Sequence, residues 1–147
     1  MFRKLLLASL LLTPHALRAD ERTTLRTAIQ GPVQARLISV VDGDTILVEA
    51  RPWPQHSVTV LVRIRGIDAP ELKARCETAR SAALRAKHRL ADLAHGAISL
   101  SNIAGDKYFG RVVANVASSD SDDIGAAMLA QGLVRAYDGG RRVEHSC

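Results

Sequence analysis

A fold of the α+β class dominated by β-strands is what this sequence predicts, and three observations carry it. From Ser57 to Arg65 the residues alternate, with Val58, Val60, Val62 and Ile64 on one face and Thr59, Leu61, Arg63 and Arg65 on the other, the period of a strand. Ala79, Ala83, Ala86, Leu90 and Leu93 recur in alternating steps of four and three, which is the apolar stripe of one amphipathic helix. On both sides of that helix lie short β-prone segments separated by Gly, Pro and Asp turns. A chain of 147 residues has room for one such core and little more.

The elements follow in order. Met-Phe-Arg-Lys, the apolar run Leu5 to Leu12, Pro14 and the stretch Ala16 to Ala19 have the layout of a secretory signal peptide, residues 1–19. An N-terminal anchor is the other reading, but the apolar run is about half of the roughly 20 residues that span a bilayer. Residues 20–32 are polar, end in Gly31-Pro32 and read as a flexible lead-in to a domain at 33–147. Gln34–Val41 and Thr45–Glu49 suggest a hairpin around the acidic turn Asp42-Gly43-Asp44. Pro52-Trp53-Pro54-Gln55-His56 breaks the pattern before the strand Ser57–Arg65. The helix, closed by Gly96, is followed by strands at Ala97–Asn102 and Arg111–Ala117. A short helix then runs over Ile124–Gln131, capped by Ser121 or Asp122 and stopped by Gly132. Three strands, a long mid-chain helix, two strands and a short C-terminal helix match a five-stranded Greek-key barrel of the OB type. An open α+β sheet has the same element order, and periodicity alone does not decide closure.

Composition narrows the function classes. With 47% hydrophobic and 24% charged residues the chain is neither disordered nor a multi-span membrane protein. Aromatics at 3% are too few for a binder that works by a row of stacked bases. The formal charge of +5 is mostly in the leader: without Arg3, Lys4 and Arg18 the excess of basic over acidic residues is two. A nucleic-acid argument therefore rests on where charges stand, not on their total. Two cysteines, Cys76 and Cys147, in an exported chain are read most simply as one disulfide, with free or intermolecularly paired thiols as the alternative.

Acids in turns are usually just solvated, but Asp42, Asp44, Asp68 and Glu71 differ as a set. Asp44 at the rim of the first hairpin and Asp68 at the end of the third strand reach one spot if those strands are neighbours. They would then offer hard oxygen ligands suited to Ca²⁺ or Mg²⁺. Asp42 is placed to serve the turn through its own hydrogen bonds. Arg63, five residues before Asp68, and Arg111, after Gly110, each read as a surface arginine when taken singly. Beside a cation they would form a phosphate clamp.

Four segments carry a resemblance: Val41-Asp42-Gly43-Asp44-Thr45, the run Arg63 to Glu71, Asp106-Lys107-Tyr108-Phe109-Gly110-Arg111, and Ala130-Gln131-Gly132-Leu133. In this order and spacing they resemble the signature set of the thermonuclease family, the staphylococcal nuclease homologues, over roughly Val33 to Tyr137. The resemblance implies an OB-fold and a periplasmic or secreted, Ca²⁺-dependent endonuclease that hydrolyses DNA and RNA, preferring single strands and leaving 3′-phosphates. It implies one calcium ion on Asp44, Asp68 and the backbone carbonyl of Ala69, supported by Asp42 and Thr45. Glu71 is then the residue that orients or deprotonates the attacking water, Arg63 and Arg111 bind phosphate, and Tyr108 and Tyr137 contact the nucleotide. A monomer with no stable membrane association after leader cleavage is expected, its tail pinned by Cys147 to Cys76. Phe109 departs from the family's commonest wording, standing as an insertion between Tyr108 and Gly110. A binding module of the same fold that holds its ligand without cutting is the alternative, but such a module has no need of Glu71 and both arginines.

Overall fold

Residues 28–140 are described in this computed structural model, and eight strands and two helices succeed one another among them. The short β1 (Ala28–Ile29) precedes β2 (Val33–Val40), β3 (Thr45–Trp53), β4 (His56–Ile64) and the two-residue β5 (Ile67–Asp68). Then come α1 (Glu77–Leu93), β6 (Ala97–Gly105), β7 (Arg111–Ala117), α2 (Ile124–Ala130) and β8 (Arg135–Ala136). The expected leader at 1–19 and Cys147 lie outside the described residues.

The barrel closes. β2 pairs with β3, β3 with β4, β6 with β7 and β6 with β2, all antiparallel, while β4 and β7 run parallel. The five strands therefore form a closed mixed barrel with two helices, and the open sheet is set aside. Closure follows from alternation: Ile46 and Val48 of β3, Val62 and Ile64 of β4, Ile98 and Leu100 of β6, and Ala114 and Val116 of β7 fill one buried interior. The stripe of α1, Ala79, Ala83, Ala86, Leu90 and Leu93, is buried as its spacing predicts.

Several details differ from the expectations. Ala28–Ile29, placed in the lead-in by its polar surroundings, pairs with β6 through Ala28 opposite Ala104 and Ile29 opposite Ile103. The apparent break at Pro52–His56 is a tight hairpin, with Trp53 opposite His56 and Gln55 at a φ of 64° in the turn. Prolines stand where the hairpin needs no ladder bond, so they do not end the strands. The cap of α2 is Asp123, whose carboxylate accepts from the backbone N–H of Ala126 at 2.9 Å, in place of Ser121 or Asp122.

Two features of β4 and its surroundings position the site. The alternation holds only in part: Val58 is exposed, whereas Val62, Arg63 and Ile64 are buried in succession. The strand leaves the barrel toward its hairpin and is covered on both faces at its other end. There β5 pairs with β8, Ile67 opposite Ala136 and Asp68 opposite Arg135, and the backbone N–H of Tyr137 donates to the carbonyl of Gly66 at 2.8 Å.

Candidate functional site

The turn between β2 and β3 comes first. Asp42 accepts the backbone N–H of Asp44 on Oδ1 at 3.0 Å, the turn role its sequence position predicts. Gly43 admits no side chain, since a Cβ there would lie 2.7 Å from the Cβ atoms of both Ala69 and Ala86. The turn is thereby held between α1 and the segment after β5. Asp44 is locked at 3% exposure beside residue 69.

Every partner of Asp44 is part of the site. Oδ1 accepts from the hydroxyl of Thr45 at 2.8 Å and from Nη1 of Arg63 at 3.1 Å, and Oδ2 accepts from the backbone N–H of Ala69 at 3.0 Å. Arg63 stands opposite Thr45 in the β3–β4 register, which brings the two together. Its Nη2 donates to Asp68 Oδ1 at 2.9 Å and to the carbonyl of Ile67 at 3.1 Å. One planar guanidinium thus forks between two carboxylates, a geometry an ammonium does not reproduce. Arg63 is only 6% exposed, so the reading of a lone surface arginine fails.

Burial raises the Asp44 carboxyl above its ordinary range, opposed by the Ala69 N–H and the charge of Arg63 and reinforced by the charge of Asp42. For Arg63 burial opposes the charge, but Asp44 and Asp68 outweigh it and hold the guanidinium firmly protonated. Two carboxylates are buried against one guanidinium here, in a desolvated place. The all-oxygen chemistry of Asp44, Asp68 and the neighbouring Ala69 carbonyl fits a hard divalent cation. Among the described residues no group of three or more His, Cys, Asp or Glu side chains converges, so backbone oxygens would have to complete such a site.

The loop between β6 and β7 carries the second half. Asp106 accepts from the backbone N–H of Lys107 at 2.6 Å and from Nε of Arg111. Burial would raise the Asp106 carboxyl, but the bonds from Arg111 and Lys107 and the charges of Arg111 and Arg63 prevail and hold it below its ordinary value. The Arg111 guanidinium lies over the ring of Tyr108, 4.6 Å from its centroid, and Lys107 Nζ is 5.1 Å from the same ring. The insertion does not part Tyr108 from Arg111. Gly110, at a φ of 81°, turns the chain back while Phe109 projects into solvent.

Both halves meet on a cavity of about 930 Å³ lined by Arg63, Arg65, Asp106, Arg111 and Tyr137. Arg111 is opposite Leu61 and Val113 opposite Arg63 in the parallel β4–β7 pair, so the two arginines project from the same face of neighbouring strands. Tyr137 sits against Arg63, with 5.4 Å from the guanidinium carbon to its ring centroid. Asp44 and Asp68 are not among the described residues of the wall and meet the cavity through Arg63. Glu71 is exposed in the turn after Pro70, its carbonyl accepting from the N–H of Ala74 at 3.0 Å, and it does not line the cavity either. Cys76 is the N-cap residue of α1.

Sequence reasoning assigned no role to Asp106 or Arg65. Asp106 orients Arg111 across the loop, and its position five residues ahead of that arginine in a hairpin connection was the available signal. Arg65 donates to the carbonyl of Val113 at 3.1 Å, which pins a third guanidinium to the cavity rim.

A comparison with protein-family models matches residues 61–146, more than half of the chain, to the family described as staphylococcal nuclease homologue. The matched span takes in Arg63, Asp68, Glu71, Tyr108, Arg111 and Tyr137 and begins after the Asp42–Thr45 turn. No curated protein matches the chain.

Proposed function

This chain belongs to the staphylococcal nuclease homologues, and from that premise we propose that it is an exported, calcium-dependent nuclease acting on DNA and RNA. The observation that carries the proposal is the pair Arg63 and Arg111 on one cavity wall, each backed by a carboxylate and faced by a tyrosine. Paired guanidinium groups recognise phosphate oxygens and are strongest where charge grows during phosphoryl transfer. Their own carboxylates fix both forks before substrate arrives, so little reorganisation is needed at the moment of reaction.

In this reading Asp44, Asp68 and the Ala69 carbonyl hold one calcium ion, with Asp42 and Thr45 steadying the turn beneath. Bound there, calcium would supply positive charge to polarise the scissile phosphodiester. Glu71 aligns the attacking water or takes its proton, and a 3′-phosphate is left. Tyr108 and Tyr137 lie against the nucleotide, which favours single strands, whose bases are open to contact. The enzyme acts as a monomer, without stable membrane association after leader cleavage, in the periplasm or outside the cell. Cys76 and Cys147 form a disulfide that ties the tail to α1. Equal masses of the alkylated protein with and without reductant would remove that last element.

The test is Glu71→Gln. Turnover should fall about a hundredfold or more, the scale of a positioned acid or base. Calcium-dependent affinity for a short oligonucleotide and the melting temperature should hold. A lowered melting temperature with cleavage intact would make Glu71 a structural residue and sink its catalytic role.

A further inference from the structure

Phe109 is the one large hydrophobic side chain of the site loop with nothing over it. Its relative exposure is 108%, against 56% for the neighbouring Tyr108, and among the described residues nothing covers it. A Phe ring left in water forgoes the favourable free energy that burial of such a side chain returns, so it is a poor choice for a loop that only has to turn. The turn itself is supplied by Gly110, whose φ of 81° suits glycine.

The surroundings define what the ring can meet. Phe109 is flanked by Tyr108, whose own ring carries the cations of Lys107 and Arg111 at 5.1 and 4.6 Å. The same loop supplies Asp106, Lys107 and Arg111 to the cavity wall. An aromatic face next to two cations that border the cavity complements a chain of alternating phosphates and flat apolar rings. A protein partner would not need that alternation, and a duplex would keep its base faces stacked inside.

We propose that Phe109 is a stacking platform for an unpaired nucleobase of the substrate strand, lying beyond the nucleotide held at Arg63 and Arg111, and that it adds to the preference for single strands that Tyr108 and Tyr137 begin. The inference rests on the nuclease reading of the cavity. Phe109 is a specificity-determining residue: it acts on binding of a longer strand and leaves the reacting phosphate to the arginines. Stacking on one aromatic residue is worth about tenfold or more in affinity.

The experiment compares wild type, Phe109→Ala and Phe109→Trp on three substrates: a nitrophenyl ester of a nucleoside bisphosphate, single-stranded oligo(dT) and duplex DNA. Phe109→Ala should raise KM for oligo(dT) about tenfold at unchanged kcat and leave the small ester and the duplex as in wild type, while Phe109→Trp should keep oligo(dT) at the wild-type level. In a Trp53→Phe background, the fluorescence of Phe109→Trp should be quenched as oligo(dT) binds. Unchanged KM for oligo(dT) in Phe109→Ala overturns the platform and leaves the nuclease standing. So does equal loss of kcat on ester and oligo(dT), which would mean that the loop had merely shifted Arg111. Binding of oligo(dT) without quenching overturns it as well. A wild-type protein that neither cleaves nor binds any of the three removes the nuclease reading and this inference together.

Discussion

Arg63 and Arg111 are equipped alike and housed differently. Each has a carboxylate partner and an aromatic ring, and each lines the same cavity. Arg63 belongs to the barrel: it is buried at the covered end of β4, forks between Asp44 and Asp68, and is wedged by a turn that Gly43 presses against α1. Arg111 opens β7 where the loop ends: its partner Asp106 is five residues away, and its ring, Tyr108, is more than half exposed. The difference teaches that one half of this site is built into the core, whereas the other rests on a local contact whose alteration should leave the fold standing. The insertion of Phe109, taken up by the turn at Gly110, occurs in the half that can absorb it.

Substituting Arg63 should therefore have the largest effect. Arg63→Lys keeps a charge but cannot reach both carboxylates with a planar fork. Turnover should fall roughly a hundred- to a thousandfold, on the scale of a lost charge-stabilising donor. The melting temperature should fall too, because a buried carboxylate loses its partner. Kinetics and thermal melts on one preparation check both, and a normal melt would remove the claim that this arginine is part of the core.

Arg111→Lys should match that loss of turnover to within about tenfold while melting like wild type, which is the sharpest contrast between the halves. A clearly lower melting temperature would show the loop to be as structural as the barrel end. Asp106→Asn should have the smaller effect, about tenfold to a hundredfold in turnover, since it leaves Arg111 present but poorly aimed. Acid should imitate it. The Asp106 carboxyl is held below its ordinary range, so its support for the loop is complete above the unfolded value of about 3.9. That support is lost as pH falls through the lower folded value. Chemical shifts of the Arg111 Nε–H followed into that acid range check the sign, and a change completed near neutrality would contradict it.

How much of this was legible follows the same division. The stripe of α1 could be read because five buried positions over four turns outvote any single residue. The closing strands were visible as short apolar runs, although β1, β5 and β8, at two residues each, are too short to display a period. Asp44 and Asp68 could be placed at the ends of neighbouring strands from the sequence, and both reach Arg63 there; Asp42 could be placed in its turn. What stayed hidden was the depth of Arg63. An arginine on a strand reads as solvated, and only the cover that β5, β8 and Tyr137 bring from distant parts of the chain buries it. Asp106 was hidden for the opposite reason, since an acid before a lysine in a loop looks like ordinary surface until Arg111 is seen returning to it.

The central claim is that these two halves together make a calcium-dependent nuclease, and cleavage under metal control addresses it most directly. The protein without its leader is incubated with plasmid DNA and with RNA, in calcium and in excess chelator, and the new ends are tested for 3′-phosphate. Degradation of both polymers in calcium, none in chelator, and 3′-phosphate ends are the predicted result. Undiminished cleavage in chelator would contradict the assignment of Asp44 and Asp68 to the ion, and intact nucleic acid in calcium would contradict the enzyme itself.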